Sequence, residues 1–135
     1  MASRVTKQFK AFTARAADGV IAEPINVAHA KTISVAISIP GTAALDIKCQ
    51  AAIGLVAPDF SAAKTATNAW DYQGMYDLQS ALHVNGDTGV TYAAPGTADV
   101  RLFEINVNAV NWISFEVDNY SAGSVTVEAI RVDNQ

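Results

Sequence analysis

The run TNAWDYQGMYD, residues 67–77, gathers Trp70, Asp71, Tyr72, Gln73 and Tyr76 within a few positions. Aromatic rings beside a carboxylate and an amide are suited to sugar recognition: a ring face stacks on the C–H face of a sugar, and Asp71 and Gln73 hydrogen-bond its hydroxyls. The competing use of the same residues is structural, with Trp70 and Tyr76 plugging the end of a core. The run closes a segment, residues 57–77, that loses regular alternation and carries a proline and a glycine, which reads as one long loop.

Other chemistries find less to work with. His29 and His83 lie far apart and neither has a ligand-spaced neighbour, so no metal site is expected. Asn85-Gly86-Asp87-Thr88-Gly89 lacks the alternating acids and distant glutamate of a calcium loop and reads as a turn built from residues that tolerate positive φ. There is no glycine-rich phosphate loop and no G-x-S-x-G elbow. A glycosidase would need two carboxylates at a set separation, and no spacing singles out such a pair. The expectation is a protein without catalytic residues or cofactor, and not an enzyme. Cys49, the single cysteine, alternates with Leu45, Ile47 and Ile53 and reads as a small buried hydrophobe; alone, it can form no intrachain disulfide.

Charge is distributed unevenly. The net charge is −4, yet residues 1–17 carry Arg4, Lys7, Lys10 and Arg15 with no acid, while residues 18–135 carry thirteen acids and five bases. An acid-free basic start is also the composition of an organelle transit peptide. As part of the mature protein, residues 1–17 read as a basic arm, helical or extended, with Phe9 and Phe12 as apolar anchors for a partner surface of opposite charge. The negative total argues against nucleic acid as partner. No apolar run approaches the roughly 18 residues of a membrane helix, and the N-terminus lacks the apolar core of a secretory signal. The expectation is therefore synthesis in a host cytoplasm, with neither export signal nor membrane partner.

The elements that would hold these residues are strands. The chain has 14 Val and 10 Ile against 5 Leu, and branching at Cβ favours extended backbone. Ile33, Val35, Ile37 and Ile39 share one face of KTISVAISIPG; ALDIKCQAAI repeats the pattern with Asp46, Lys48 and Gln50 outward. LQSALHV reads as a strand carrying Leu78, Leu82 and Val84. Phe103, Ile105 and Val107 face inward from VRLFEINVN, and Ile113, Phe115 and Val117 from WISFEVD. WISFEVD, a short polar turn and SVTVEAIRV read as a final β-hairpin. The shift of parity from Val125 and Val127 to Ile130 and Val132 predicts a β-bulge near Glu128–Ala129. About nine strands with half-polar faces imply one all-β domain over residues 18–135: an antiparallel two-sheet sandwich, jelly-roll-like, with the N-terminal arm attached.

WISFEVDNYSAGSVTVEAIRV, ending the chain, resembles the C-terminal hairpin of small virion proteins of tailed bacteriophages, in which an aromatic strand passes through an S-x-G turn into a V-T-V strand. The resemblance implies a capsid decoration (cement) protein, or a head or tail accessory protein, located in the virion. Such proteins stabilise a shell by non-covalent contacts with the major capsid protein or other virion subunits, often as homotrimers. It assigns no particular binding residue. The alternatives from other classes are a carbohydrate- or receptor-binding module built on Trp70–Tyr76, for which a glycan is the partner, and a tail or connector component.

Overall fold

A computed structural model describes residues 4–134, and the side chains of residues 6–132. Within that range the chain forms twelve strands and no helix: β1 (Arg4–Arg15), β2 (Gly19–Val20), β3 (Ile25–Asn26), β4 (Thr32–Ile39), β5 (Ala44–Ala52), β6 (Asp71–Gln73), β7 (Met75–Asp77), β8 (Leu82–Val84), β9 (Val90–Ala93), β10 (Asp99–Asn106), β11 (Trp112–Ala122) and β12 (Val125–Asn134). The long strands are those the alternation predicts, except β1, which falls in the segment expected as an arm. The count exceeds nine because β1 lies in that segment, and β6 and β7, three residues each and too short for a period of two to show, lie in the segment 57–77 expected as one loop.

The strands form two antiparallel sheets, which bears out the all-β sandwich. The first runs β1-β12-β4-β10-β7-β8; the second runs β2-β11-β5-β6, with β3 also on β11 and β9 also on β5. Chain neighbours mostly lie in opposite sheets: β4 and β5, β6 and β7, β8 and β9, β10 and β11, β11 and β12. The final two strands are therefore not a hairpin. β11 pairs with β5, and β12 with β1 and β4. The polar turn between them is an arch that carries the chain across the core. The reason is energetic: both strands have a strongly apolar face, and an arch sets those faces against each other while a hairpin would lay them side by side. Alternation is the same in either case.

The arches meet at one end and lock together through backbone. Ala94 N–H donates to Ala43 O (2.7 Å) and Gly96 N–H to Gly41 O (2.9 Å), while within the last arch the Tyr120 hydroxyl donates to Gly123 O (2.8 Å). Between the sheets lie Ile33, Val35, Ile37, Leu45, Ile47, Cys49, Phe103, Ile105, Ile113, Phe115, Val117, Val125 and Val127, all buried. Cys49 is within this core, as its alternation predicts, and burial pushes its thiol pKa up. Truncating a residue such as Phe103 or Phe115 to Ala costs about 3–5 kcal/mol.

Four expectations change. The bulge is not in β12, which pairs with β4 in unbroken register from Thr126↔Ser38 to Arg131↔Ile33; Ala129 continues the buried set and Ile130 faces outward, 38% exposed. The irregularities fall in the facing strand β1, between Lys10 and Phe12 and again before Arg15, where Ala14 has φ of 46°. An outward Ile130 imitates a parity change when only one strand is read. Ile53 does not follow Cys49 inward, since β5 ends at Ala52 and Ile53 is 75% exposed. In LQSALHV only Leu82–Val84 is strand; Leu78 and Leu82 lie on the surface. Residues 4–15, expected as an arm, are the edge strand β1, with Phe12 buried in the core and Phe9 packed against it. This resolves the choice between helix and extended chain for that segment. Residues 1–3 and the side chain of Arg4 lie outside the described residues.

Gly123 and Gly96 separate two costs of a side chain at positive φ. At Gly123 (φ 74°) a Cβ would sit 2.6 Å from Ala43 Cα, whereas at Gly96 (φ 86°) it would meet open space. Gly96→Ala is expected to cost about 1 kcal/mol through backbone strain alone, and Gly123→Ala about 3 kcal/mol or more because the arch must also shift. Urea denaturation checks this; equal losses would show that the arches do not depend on the close approach.

Candidate functional site

Most strands are covered on one face; β5 is covered on both. Lys48 and Gln50 point away from the core as their alternation requires, yet Lys48 is 9% exposed and Gln50 fully buried. The segment 57–77, expected as one loop, accounts for this but is only in part irregular: Asp71–Gln73 and Met75–Asp77 are strands, and it is Tyr72 of β6 that lies over Lys48. Residues 53–70 fold back over the outer face of the second sheet and seat Phe60 on it. The Gln50 amide donates from Nε2 to Phe60 O (2.9 Å), so a buried polar side chain anchors the cover by its backbone.

Asn68 holds the irregular segment together. Its Nδ2 donates to Asp59 O and Ala63 O, its Oδ1 accepts from Asp59 N, and its backbone exchanges hydrogen bonds with Thr65. Asp59 in turn accepts from the Ser61 hydroxyl and amide, and these bonds hold its carboxyl below the usual range. The end of the segment presents Trp70, whose Nε1 donates to Ala62 O (3.1 Å) and whose ring lies 6.1 Å from that of Phe60.

The next three residues form β6, on the margin of the second sheet, paired with Cys49–Ala51 of β5. Asp71 is 74% exposed and accepts from Lys64 Nζ (2.5 Å) and from the Tyr72 amide (2.8 Å); the lysine bond leads in lowering its pKa. The Tyr72 hydroxyl donates to Glu116 (2.7 Å), and its ring lies 4.9 Å from Lys48 Nζ. Desolvation, followed by the Glu116 bond, pushes the phenol pKa up. Gln73 Nε2 donates to Asn106 O (2.7 Å), bridging the two sheets. Trp70, Asp71, Tyr72 and Gln73 thus share one open cleft of about 540 Å³, whose floor and walls include Ala51, Ala52 and Val110.

Tyr76 is not part of it. Gly74 carries the chain from β6 in one sheet to β7 in the other, and Tyr76 lies between Glu104 and His83 in the first sheet. Nor do Trp70 and Tyr72 form a flat platform: their rings meet at 85° with centroids 5.1 Å apart. Lys64, Lys48 and Glu116 also belong to the arrangement and were missed in the sequence. Lys64 sits in a run of small residues without pattern, and Glu116 reads as an ordinary outward strand position. Among the described residues no group of three or more His, Cys, Asp or Glu could hold a metal.

Beneath the cleft, Lys48 Nζ lies 2.8 Å from Asp118 Oδ2, with the lysine side chain 11% and the aspartate 39% exposed. The hydrogen bond from Lys48 lowers the Asp118 pKa against a smaller opposing effect of burial. A depressed folded-state value stabilises the fold above the unfolded value, about 3.9, and that contribution vanishes as pH falls through the folded value. Stability should therefore decline with acidification below about pH 4. Asp118→Asn should lose about 1 kcal/mol at neutral pH, after allowance for the water around Asp118, and show a shallower acid slope. Unchanged slopes in denaturant titrations across this range would rule out the pair as a source of acid sensitivity.

No family model matches the chain, and no curated protein matches its sequence. Solved structures do share its fold. The SPBc2 prophage-derived protein YomS aligns over 98% of this chain and 97% of its own, with a TM-score of 0.67 and 19% identity. The PBSX exported protein XepA aligns over 97% of this chain and 39% of its own, with a TM-score of 0.70 and 14% identity. At these identities the likeness is one of fold, shared with nearly all of YomS and with the aligned part, 39%, of XepA.

Proposed function

We propose that the chain is a phage structural protein that works by adhesion, most specifically as a capsid decoration protein binding virion subunits without catalysis. The observation that carries this reading is the surface of the first sheet, which combines an open basic edge with an outward apolar face. β1 has β12 on one side and, among the described residues, no strand on the other. Thr6, Lys7, Gln8 and Lys10 are exposed along it. Across the same sheet Leu78, Leu82, Val100, Leu102 and Ile130 are 38–66% exposed, and Ala36, Leu78, Leu102 and Ile130 border a shallow hollow. Adjacent apolar side chains of this kind on an outer sheet face mark a contact surface.

The partner that suits β1 is acidic. An edge strand supplies backbone donors and acceptors to any strand, and the Lys7 and Lys10 charges select one bearing carboxylates. Two copies of β1 side by side would set lysine against lysine, so self-association takes a head-to-tail form, β1 against an acidic surface of the next copy. A ring of three is the favoured closure. The fold shared with a prophage-derived protein over nearly its full length is consistent with a virion or phage-associated location. The aromatic cleft supports a second reading, a carbohydrate- or receptor-binding module such as a tail carries. A tail or connector component would use the same adhesive physics at another address.

Deleting β1 is not a usable test, because Phe12 is core. The changes Lys7→Glu and Lys10→Gln leave the core intact, glutamine being chosen at 10 because Lys10 lies 3.7 Å from Glu128 across the β1–β12 ladder and a second carboxylate there would loosen β1. Light scattering and native mass measurement should show a trimer or larger assembly for the natural chain, weakened roughly tenfold or more in the variant. Equal association of both would remove β1 from the contact; a persistent monomer would end the homo-oligomer reading.

A further inference from the structure

The cleft between residues 64–73 and the ends of β5 has what a neutral sugar ring requires, and we propose that it binds a single pyranose unit, either the terminal residue of a glycan or a branch. The inference rests on the second reading given above, the carbohydrate-binding module, and stands whether or not β1 mediates adhesion.

Size and shape come first. A volume of about 540 Å³ falls within the range of about 300–1,000 Å³ typical of small-molecule sites. The rings that shape it are held in place: Trp70 Nε1 is tied to Ala62 O, and the Tyr72 hydroxyl to Glu116. A ligand therefore meets rings that lose little freedom on binding. Because the rings stand at 85°, they make a corner. A corner seats one ring, its C–H face on one aromatic and its rim against the other, and excludes the run of coplanar sugars that a flat platform would take.

Charge then narrows the ligand class. Asp71 and Lys64 neutralise each other at the rim. An anion would meet the exposed Asp71 carboxylate. A cation would meet Lys64, whose Nζ already lies 6.0 Å from the Trp70 ring and 5.7 Å from the Tyr72 ring. A purely apolar ligand would cover Ala51, Ala52, Ile53 and Val110 but strip water from the Lys64–Asp71 pair with no hydrogen bond in return. The remaining class is neutral, with one apolar face and a rim of groups that both donate and accept. Asp71 Oδ1 takes the Lys64 and Tyr72 bonds, which leaves its second oxygen to accept from a hydroxyl. Lys64 retains protons to donate, and Gln73, whose Nε2 is spent on Asn106, retains its carbonyl oxygen. Vicinal hydroxyls above a C–H face satisfy that set. The lowered pKa of Asp71 keeps it an acceptor at neutral pH.

The test uses the full chain and a panel of methyl glycosides of glucose, galactose, mannose, rhamnose and N-acetylglucosamine, followed by amide chemical shifts and tryptophan fluorescence. One or more should bind with a dissociation constant of roughly 1 mM, with shift changes centred on residues 64–73. Asp71→Asn keeps the side-chain shape on an exposed strand and should weaken binding by about tenfold, the loss of one charged hydrogen bond. Trp70→Ala should abolish it. Because Trp70 also packs on Phe60, Ala69→Leu, which fills the cleft from an exposed position, serves as the second blocking variant. The proposal is overturned if no glycoside moves the 64–73 amides, or if binding survives both Asp71→Asn and Ala69→Leu unchanged.

Discussion

The apolar faces of β4, β10 and β12 and those of β5 and β11 leave water only when the two sheets close on each other, and the path of the chain follows from that. A strand whose inner face is Ile33-Val35-Ile37-Ile39 gains most by meeting Leu45-Ile47-Cys49 across the core, so the link between them arches over the end. The same trade recurs at the link from β10 to β11 and from β11 to β12. Each crossing brings a turn to an end of the sandwich, and three of those turns, around Gly41, Gly96 and Gly123, pack closely enough to exchange backbone hydrogen bonds or exclude a Cβ. The core thus sets the connectivity, and the connectivity sets where small residues are required.

β5 carries a second constraint. Its outer face holds Lys48 and Gln50, which prefer water, yet the irregular segment 53–70 covers Gln50 at Phe60 and Tyr72 of β6 covers Lys48. Each needs a partner for burial to be tolerable. Gln50 finds the Phe60 carbonyl, while Lys48 finds Asp118 and the face of Tyr72. These bonds position the cover, and the cover positions Trp70 and Tyr72. The cleft is the gap left where an irregular segment, cross-linked by Asn68, meets the regular margin of the sheet at β6. Its geometry is inherited from a burial problem two strands deep.

This dependence explains what the sequence discloses. Alternation depends on each residue's own chemistry, so the inner faces of β4, β5, β10 and β11 were legible, as was the two-sheet architecture. Which sheet a strand joins depends on what it faces, and the final arch was accordingly read as a hairpin. The outward Ile130 was read as a bulge for a related reason, since its exposure depends on neighbours outside its own strand. Within the candidate site, the Trp70–Gln73 cluster was visible because unusual residue types adjoin in sequence. Its separation from Tyr76 was not visible, because it turns on Gly74 passing the chain between sheets. Lys64 reaches the cleft from six residues away, and Glu116 holds the Tyr72 hydroxyl from forty-four, with no spacing to mark either.

The basic N-terminal segment shows how one physical device can serve opposite ends. A twelve-residue edge strand is an invitation to any exposed strand nearby. Two features of β1 restrict that invitation: the register irregularities between Lys10 and Arg15, which bend the ladder, and the exposed Lys7 and Lys10 along the regular part. Both oppose indiscriminate pairing, and two like-charged copies in particular. The same cations do not oppose a strand or surface that carries carboxylates, and beyond residue 17 this chain has thirteen acids to five bases. Blunting an edge with lysine and selecting an acidic partner are therefore a single electrostatic property seen from two sides. The adhesive role proposed above would draw on both, since a contact surface must also avoid holding on to everything else.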